Sequence, residues 1–101
     1  MKWTDDAAVA NSLAWLLATC PEDRVRNGVR AVEIATQACE FTNWEDAAII
    51  DTLAAAYAEK GDFDAALKWS AKAVELSGDN GRESLRKHHE AFAKKQPLRE
   101  P

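Results

Sequence analysis

The sequence predicts an all-α fold: five helices arranged as antiparallel pairs in a short α-solenoid. Three observations carry this. Alanine dominates a chain of 101 residues that holds only 4 glycines and 3 prolines, and alanine is the strongest helix former. Short capping and breaking signals divide the chain into five stretches. Apolar and small residues then recur between stretches at fixed offsets, 40 residues for Leu13 and Leu53 and 35 for Ala31 and Ala66. With 47% hydrophobic and 30% charged residues, residues 1–101 have the composition of one globular domain.

The first helix is expected to open on Thr4-Asp5, good N-cap residues, and to run through Leu13 and Leu17 to Thr19 before Pro21. Trp3, just ahead of the cap, suits a hydrophobic staple. The turn from Cys20 leads to Asn27, the cap of a second helix over residues 28–41. Asn43 is expected to cap the third helix, with Asp46 three residues on as an approximate capping box. That helix runs to Lys60, and Gly61 is placed for the left-handed residue that closes it. Asp62 caps the fourth, which runs to about Ser77 and stops at Gly78. After Asp79-Asn80-Gly81 a fifth helix is expected over residues 82–95, followed by a tail at 96–101 that begins around Pro97.

Helices of about four turns joined by short loops pack as antiparallel neighbours, and here the pairs repeat. Leu13, Ala14 and Leu17 match Leu53, Ala54 and Tyr57 at an offset of 40; Ala31 and Ala38 match Ala66 and Ala73 at 35. The difference sits in the longer first turn around Cys20–Asn27, a surface position where repeats tolerate insertions. Residues 7–45 are thus repeat 1, residues 47–80 repeat 2 and residues 82–95 a capping helix. The fifth helix has an apolar stripe of Leu85, His88/His89 and Phe92, and an outer face of Arg82, Glu83, Arg86, Lys87, Glu90 and Lys94. That is the pattern of a solubilising end cap.

Repeat 2 resembles a tetratricopeptide (TPR) unit. The likeness rests on Leu53-Ala54-Ala55-Ala56-Tyr57, the turn Gly61-Asp62-Phe63, and the small residues Ala66 and Ala73. Residues 47–80 fill that family's frame of about 34 residues without gaps, with Gly78 where a closing proline is frequent. Repeat 1 keeps Leu13, Ala14, Ala31 and Ala38 but has Gly28 where repeat 2 has Phe63. Residues 10–21 and 97–101 also resemble terminal segments of bacterial TPR proteins. The resemblance implies close helix contacts at Ala54, Ala66 and Ala73, and a concave groove lined from the first helix of each pair. Its groove positions fall on Ala8, Asn11, Trp15 and Thr19 in the first unit and on Ala48, Asp51, Ala55 and Glu59 in the second. The family's carboxylate clamp is missing, because Asn11 and Trp15 stand where its Lys and Asn belong.

The composition excludes several other functions. Residues 1–78 carry 7 basic and 13 acidic side chains, whereas residues 79–101 carry 6 and 4. An acidic body disfavours nucleic acid, whose binding rests on clustered Lys and Arg. No run approaches the roughly 18 apolar residues of a membrane span, and Met1-Lys2-Trp3-Thr4-Asp5-Asp6 lacks a signal peptide's apolar stretch, so cytoplasmic residence is expected. Cys20 and Cys39 have no CxxC spacing and are read as reduced thiols. Adjacent helical positions diverge by about 100°, so His88 and His89 are read as flanking the cap interface rather than chelating a metal. Asp5-Asp6 and Glu45-Asp46 sit at helix starts, where carboxylates offset the dipole. With no phosphate loop, nucleophile elbow or Cys-His spacing, neither catalysis nor a cofactor is expected.

The expected function is therefore a non-catalytic interaction module that takes a peptide or helix in its groove. Trp15 is its apolar anchor, Asn11 and Asp51 are its polar contacts, and Arg86 pairs with an acidic group at one end. Trp44 and Trp69 are assigned to packing between units. The alternative is an assembly element, either a homodimer or the C-terminal end of a longer solenoid, because two repeats fall short of the about three that usually stand alone.

Overall fold

The computed structural model describes residues 6–78 and 81–99, which form α1 (Ala7–Thr19), α2 (Gly28–Phe41), α3 (Ala47–Lys60), α4 (Phe63–Ser77) and α5 (Arg82–Ala93). No strand occurs among the described residues. Each of the first four helices starts at a side-chain cap that satisfies N–H groups its first turn leaves unpaired. Asp6 accepts from Ala8 and Val9, Asn27 from Arg30, Asp46 from Ala48 and Ile49, and Asp62 from Ala65. The cap expected at Thr4-Asp5 and the staple expected at Trp3 lie outside the described residues. Within them, Asp6 holds the cap position and α1 begins at Ala7.

Two boundaries differ from expectation. Asn43 does not cap α3. It and Trp44 both adopt left-handed backbone, φ 56° and 59°, and the turn closes with Trp44 N–H donating to the Cys39 carbonyl at 2.8 Å. What matters at Asn43 is the tolerance of asparagine for positive φ, and the cap passes to Asp46. At the far end, α5 stops at Ala93 rather than Lys95. Lys95 turns left-handed at φ 58°, two residues ahead of Pro97, which disfavours helix in the residue before it.

α3 is central and touches all four other helices, while α1 also packs on α2 and α4 on α5. Its buried residues, Ile49 to Ala56 and Ala58, wrap the whole helix rather than one stripe. Small side chains permit this, since Ala54, Ala55, Ala56 and Ala58 let neighbours approach from several directions. Ala31 of α2 and Ala66 of α4 are fully buried in the same cluster, and Ala38 and Ala73 in the neighbouring one. Leu85 and Phe92 seat α5, with Phe92 joining the alanine cluster of α3 and Ala66.

The backbones of α2 and α3 approach closely at Gly28. A Cβ there would lie 2.7 Å from the Lys60 backbone N and 2.9 Å from its Cα. The start of α2 therefore lies directly on the end of α3, which leaves no room for a side chain at residue 28. Gly28→Ala and Ala66→Phe should each lower unfolding stability by about 1–3 kcal/mol through overpacking. Urea or thermal melts test this, and unchanged midpoints for both variants would refute the packing described.

Candidate functional site

Residues four apart on a helix share a face, so Asn11, Trp15 and Thr19 form one stripe on α1, and Asp51, Ala55 and Glu59 form one on α3. α1 lies against α3. Near their N-terminal ends a cleft of about 360 Å³ opens, lined by Asn11, Ser12, Trp15, Ala48, Asp51, Thr52 and Leu85 of α5. Three of the anticipated residues, Asn11, Trp15 and Asp51, are thus brought together.

Arg86 is not with them. It lines the outer surface of α5 with Arg82, Glu83, Lys87 and Glu90, and a recess against α4 with Ala71, Val74, His89 and Glu90. The register explains this. Leu85 is the α5 residue that lines the cleft, and the next residue turns about 100° away. His88, one turn on from Leu85, points to the α1–α3 side instead.

Asp51 is 4% exposed, and a carboxylate buried to this extent requires a partner. His88 Nδ1 lies 2.7 Å from Asp51 Oδ2. Because a carboxylate only accepts, the imidazole N–H donates. The same ring sits 5.7 Å from the Trp15 indole at a 38° tilt, so His88 joins α5 to α1 and α3 at the edge of the cleft. The next residue, His89, turns to α4 and meets the buried Ser70 hydroxyl at 2.5 Å. The two histidines flank the cap interface, each on its own partner. The i, i+3/i+4 stripe of α5 signalled that His88 faces inward; its meeting with Asp51 was not visible without the relative tilt of α3 and α5.

Thr52, which lines the cleft, donates its hydroxyl to the Ala48 carbonyl at 3.1 Å, and Thr19, one turn beyond Trp15, to the Trp15 carbonyl at 2.8 Å. Asn11 Oδ1 is buried with no hydrogen-bond partner among the described residues. At the other end of the α3 stripe, Glu59 receives two guanidinium groups. Arg26 Nε donates to Oε2 at 3.3 Å. Arg99 Nη1 lies 2.8 Å from Oε1, an ion-pair contact whose angle falls short of a hydrogen bond. Arg26 also donates to the Cys20 and Pro21 carbonyls and pairs with Asp23, fixing the long first turn. Burial lowers the Arg26 pKa, but Asp23 and Glu59 raise it by more, so it stays above its ordinary value.

The other aromatic and thiol groups belong to packing. Trp44 stacks on Trp69, centroids 5.0 Å apart and 22° between planes, with Lys68 Nζ 4.9 Å from the Trp69 centroid. Among the described residues no group of three or more His, Cys, Asp or Glu is placed to hold a metal ion, and no helix is long and apolar enough to cross a membrane. Among the described residues these features define an all-helical fold with an interhelical cleft lined by Trp15, Asn11 and Asp51. Comparison with family models, curated proteins and solved structures returns no match.

Both cysteines are free thiols. Burial, reinforced by the charges of Asp46 and Glu40, pushes the Cys39 thiol up to about 12. A thiol reagent at pH 8 should label Cys20 and spare Cys39 until the chain unfolds, as mass spectrometry of digests would show. Because the folded pKa exceeds the unfolded value of about 8.5, Cys39 favours the fold fully below that pH and progressively less as pH rises toward 12. Equal labelling of both thiols in the folded chain would contradict the burial.

Proposed function

We propose that the chain is a non-catalytic protein-interaction module of the TPR type, a cytoplasmic scaffold that holds a peptide or helix from another protein. One observation carries the reading: Asn11, Trp15 and Asp51 line a single cleft between α1, α3 and α5. Such a cleft pairs one large aromatic wall with a few placed polar groups, the usual composition of a recognition site. The support for a TPR-like arrangement is the order of contacts. α1 packs on α2, α2 on α3, α3 on α4 and α4 on α5, while α3 also meets α1 and α5.

A partner captured from native lysate on the immobilised chain supplies the ligand, and calorimetry supplies the affinity. Trp15→Ala should weaken binding by about 2 kcal/mol or more if the indole is a buried anchor, with circular dichroism confirming that the variant folds. A folded Trp15→Ala chain that binds as tightly as the parent would remove the cleft from consideration.

An assembly role is favoured by a different observation. Val9 and Leu16 of α1, seven residues apart and so on one side of the helix, are 50% and 48% exposed, and Val29 of α2 is 56% exposed. An apolar side of this kind suits a second copy or a preceding repeat. Sedimentation at rising concentration should show association that Leu16→Glu abolishes. A monomer at every concentration would leave only the first reading.

A further inference from the structure

Resting on the peptide-binding reading, we propose that Leu98 and Arg99 form a releasable strap. The chain's own tail occupies the continuation of the cleft, and a partner segment of the same chemistry, an apolar side chain followed by an arginine, gains that end by displacing it. The cleft is lined from α1 by Asn11, Ser12 and Trp15 and from α3 by Ala48, Asp51 and Thr52. The same two stripes run on to Thr19 and to Ala55 and Glu59, yet Thr19 and Ala55 are each only 1% exposed. At that end lies the C-terminal segment. Leu98 packs on the cluster that contains Ala18, Ala55 and Ala58, and Arg99 Nη1 reaches Glu59 Oε1 at 2.8 Å.

Little holds the segment there. Lys95 turns the chain back at φ 58°, and the Gln96 N–H closes the turn on the Ala91 carbonyl at 2.9 Å. Among the described residues, no backbone hydrogen bond joins residues 97–99 to another element, and Pro97 has no N–H to give. What remains is the partly buried Leu98 side chain and one ion pair. Its guanidinium is 36% exposed and also donates to the Leu98 carbonyl. Glu59 keeps Arg26 on its other oxygen, so departure of Arg99 does not leave the carboxylate without a cation. An attachment of two side chains, one of them an ion pair open to solvent, is readily undone.

Release changes the reach of the site. Asp51 and Glu59 are separated by about 12 Å of helix, the span of about four extended residues. With the tail seated, a ligand ends near Trp15. With it released, the floor continues to Glu59 and takes the contacts that Leu98 and Arg99 gave up.

The test uses the full chain and the blocked tail peptide acetyl-Gln-Pro-Leu-Arg-amide, with a second peptide carrying Glu in place of Arg. Backbone amide NMR signals of Ala55 and Glu59 are followed in the parent, in Leu98→Ser/Arg99→Ala, and in Arg99→Glu, which keeps the apolar contact. The double variant should bind the arginine peptide about tenfold more tightly than the parent, whose tail closes the site about nine-tenths of the time. Arg99→Glu should fall between them. Within the double variant, the glutamate peptide should bind about fivefold more weakly than the arginine peptide, and Glu59→Gln should weaken the arginine peptide by a similar factor. If Glu59→Gln lowers the melting point, the comparison of the two peptides decides the same point. Equal affinity of parent and double variant overturns the strap, as do shifts that miss Ala55 and Glu59. A captured partner still weakened by Trp15→Ala then leaves the peptide reading standing alone. Shifts at Glu59 beside a partner indifferent to Trp15→Ala keep the strap and remove the cleft. Signals that follow protein concentration without peptide would place the tail on a second copy and overturn the internal assignment.

Discussion

The close approach of α3 to all four other helices is the constraint from which the remaining features follow. A helix enclosed in this way cannot keep one polar face, and its large side chains must give way to alanine wherever a neighbouring backbone comes near. Ala54, Ala55, Ala56 and Ala58 meet that requirement on α3, and Ala31, Ala38, Ala66 and Ala73 meet it from the flanking helices. Gly28 is the limiting case, where even a methyl group meets the Lys60 backbone. Interiors packed at crystal-like density respond to single added carbons, so these positions set the spacing of the helices more firmly than the larger apolar residues do.

The site inherits its character from that enclosure. α3 carries Asp51 and Glu59 on a stripe that ends up between helices, and the partners of a carboxylate in that position must come from elsewhere in the chain. Those partners are His88 from α5 and Arg26 and Arg99 from the first turn and the tail. A polar requirement created at the centre of the fold therefore positions the C-terminal segment. The cleft is the space left where α1 and α5 do not quite close over the Asp51 end.

Most of the helical framework could be read directly from local chemistry. Asn27, Gly61 and Asp62 serve as expected because a cap or a left-handed residue depends on a few neighbouring atoms. Asn43 shows where that reading is degenerate, since the same side chain suits both a cap and a positive φ, and the choice depends on how α2 must end. The α1 and α3 faces were also legible through the four-residue spacing of Asn11 and Trp15. Arg86 was not, because its direction depends on the rotation of α5 about its own axis, which Leu85 and Phe92 set by burial in two different clusters. The pairings of His88 with Asp51 and of Arg99 with Glu59 join residues distant in sequence, and nothing in a linear pattern marks them.

The corner between α2 and α3 has an optical consequence. Two consecutive left-handed residues swing Trp44 out of the turn and lay it on Trp69 of α4, nearly parallel at 5.0 Å. Indoles at that separation are close enough for their electronic transitions to couple, so an exciton couplet in the circular dichroism is the expected signature of this pair. Trp15 lies outside this pair, against His88. Such a couplet would report whether α4 is seated on the corner between α2 and α3.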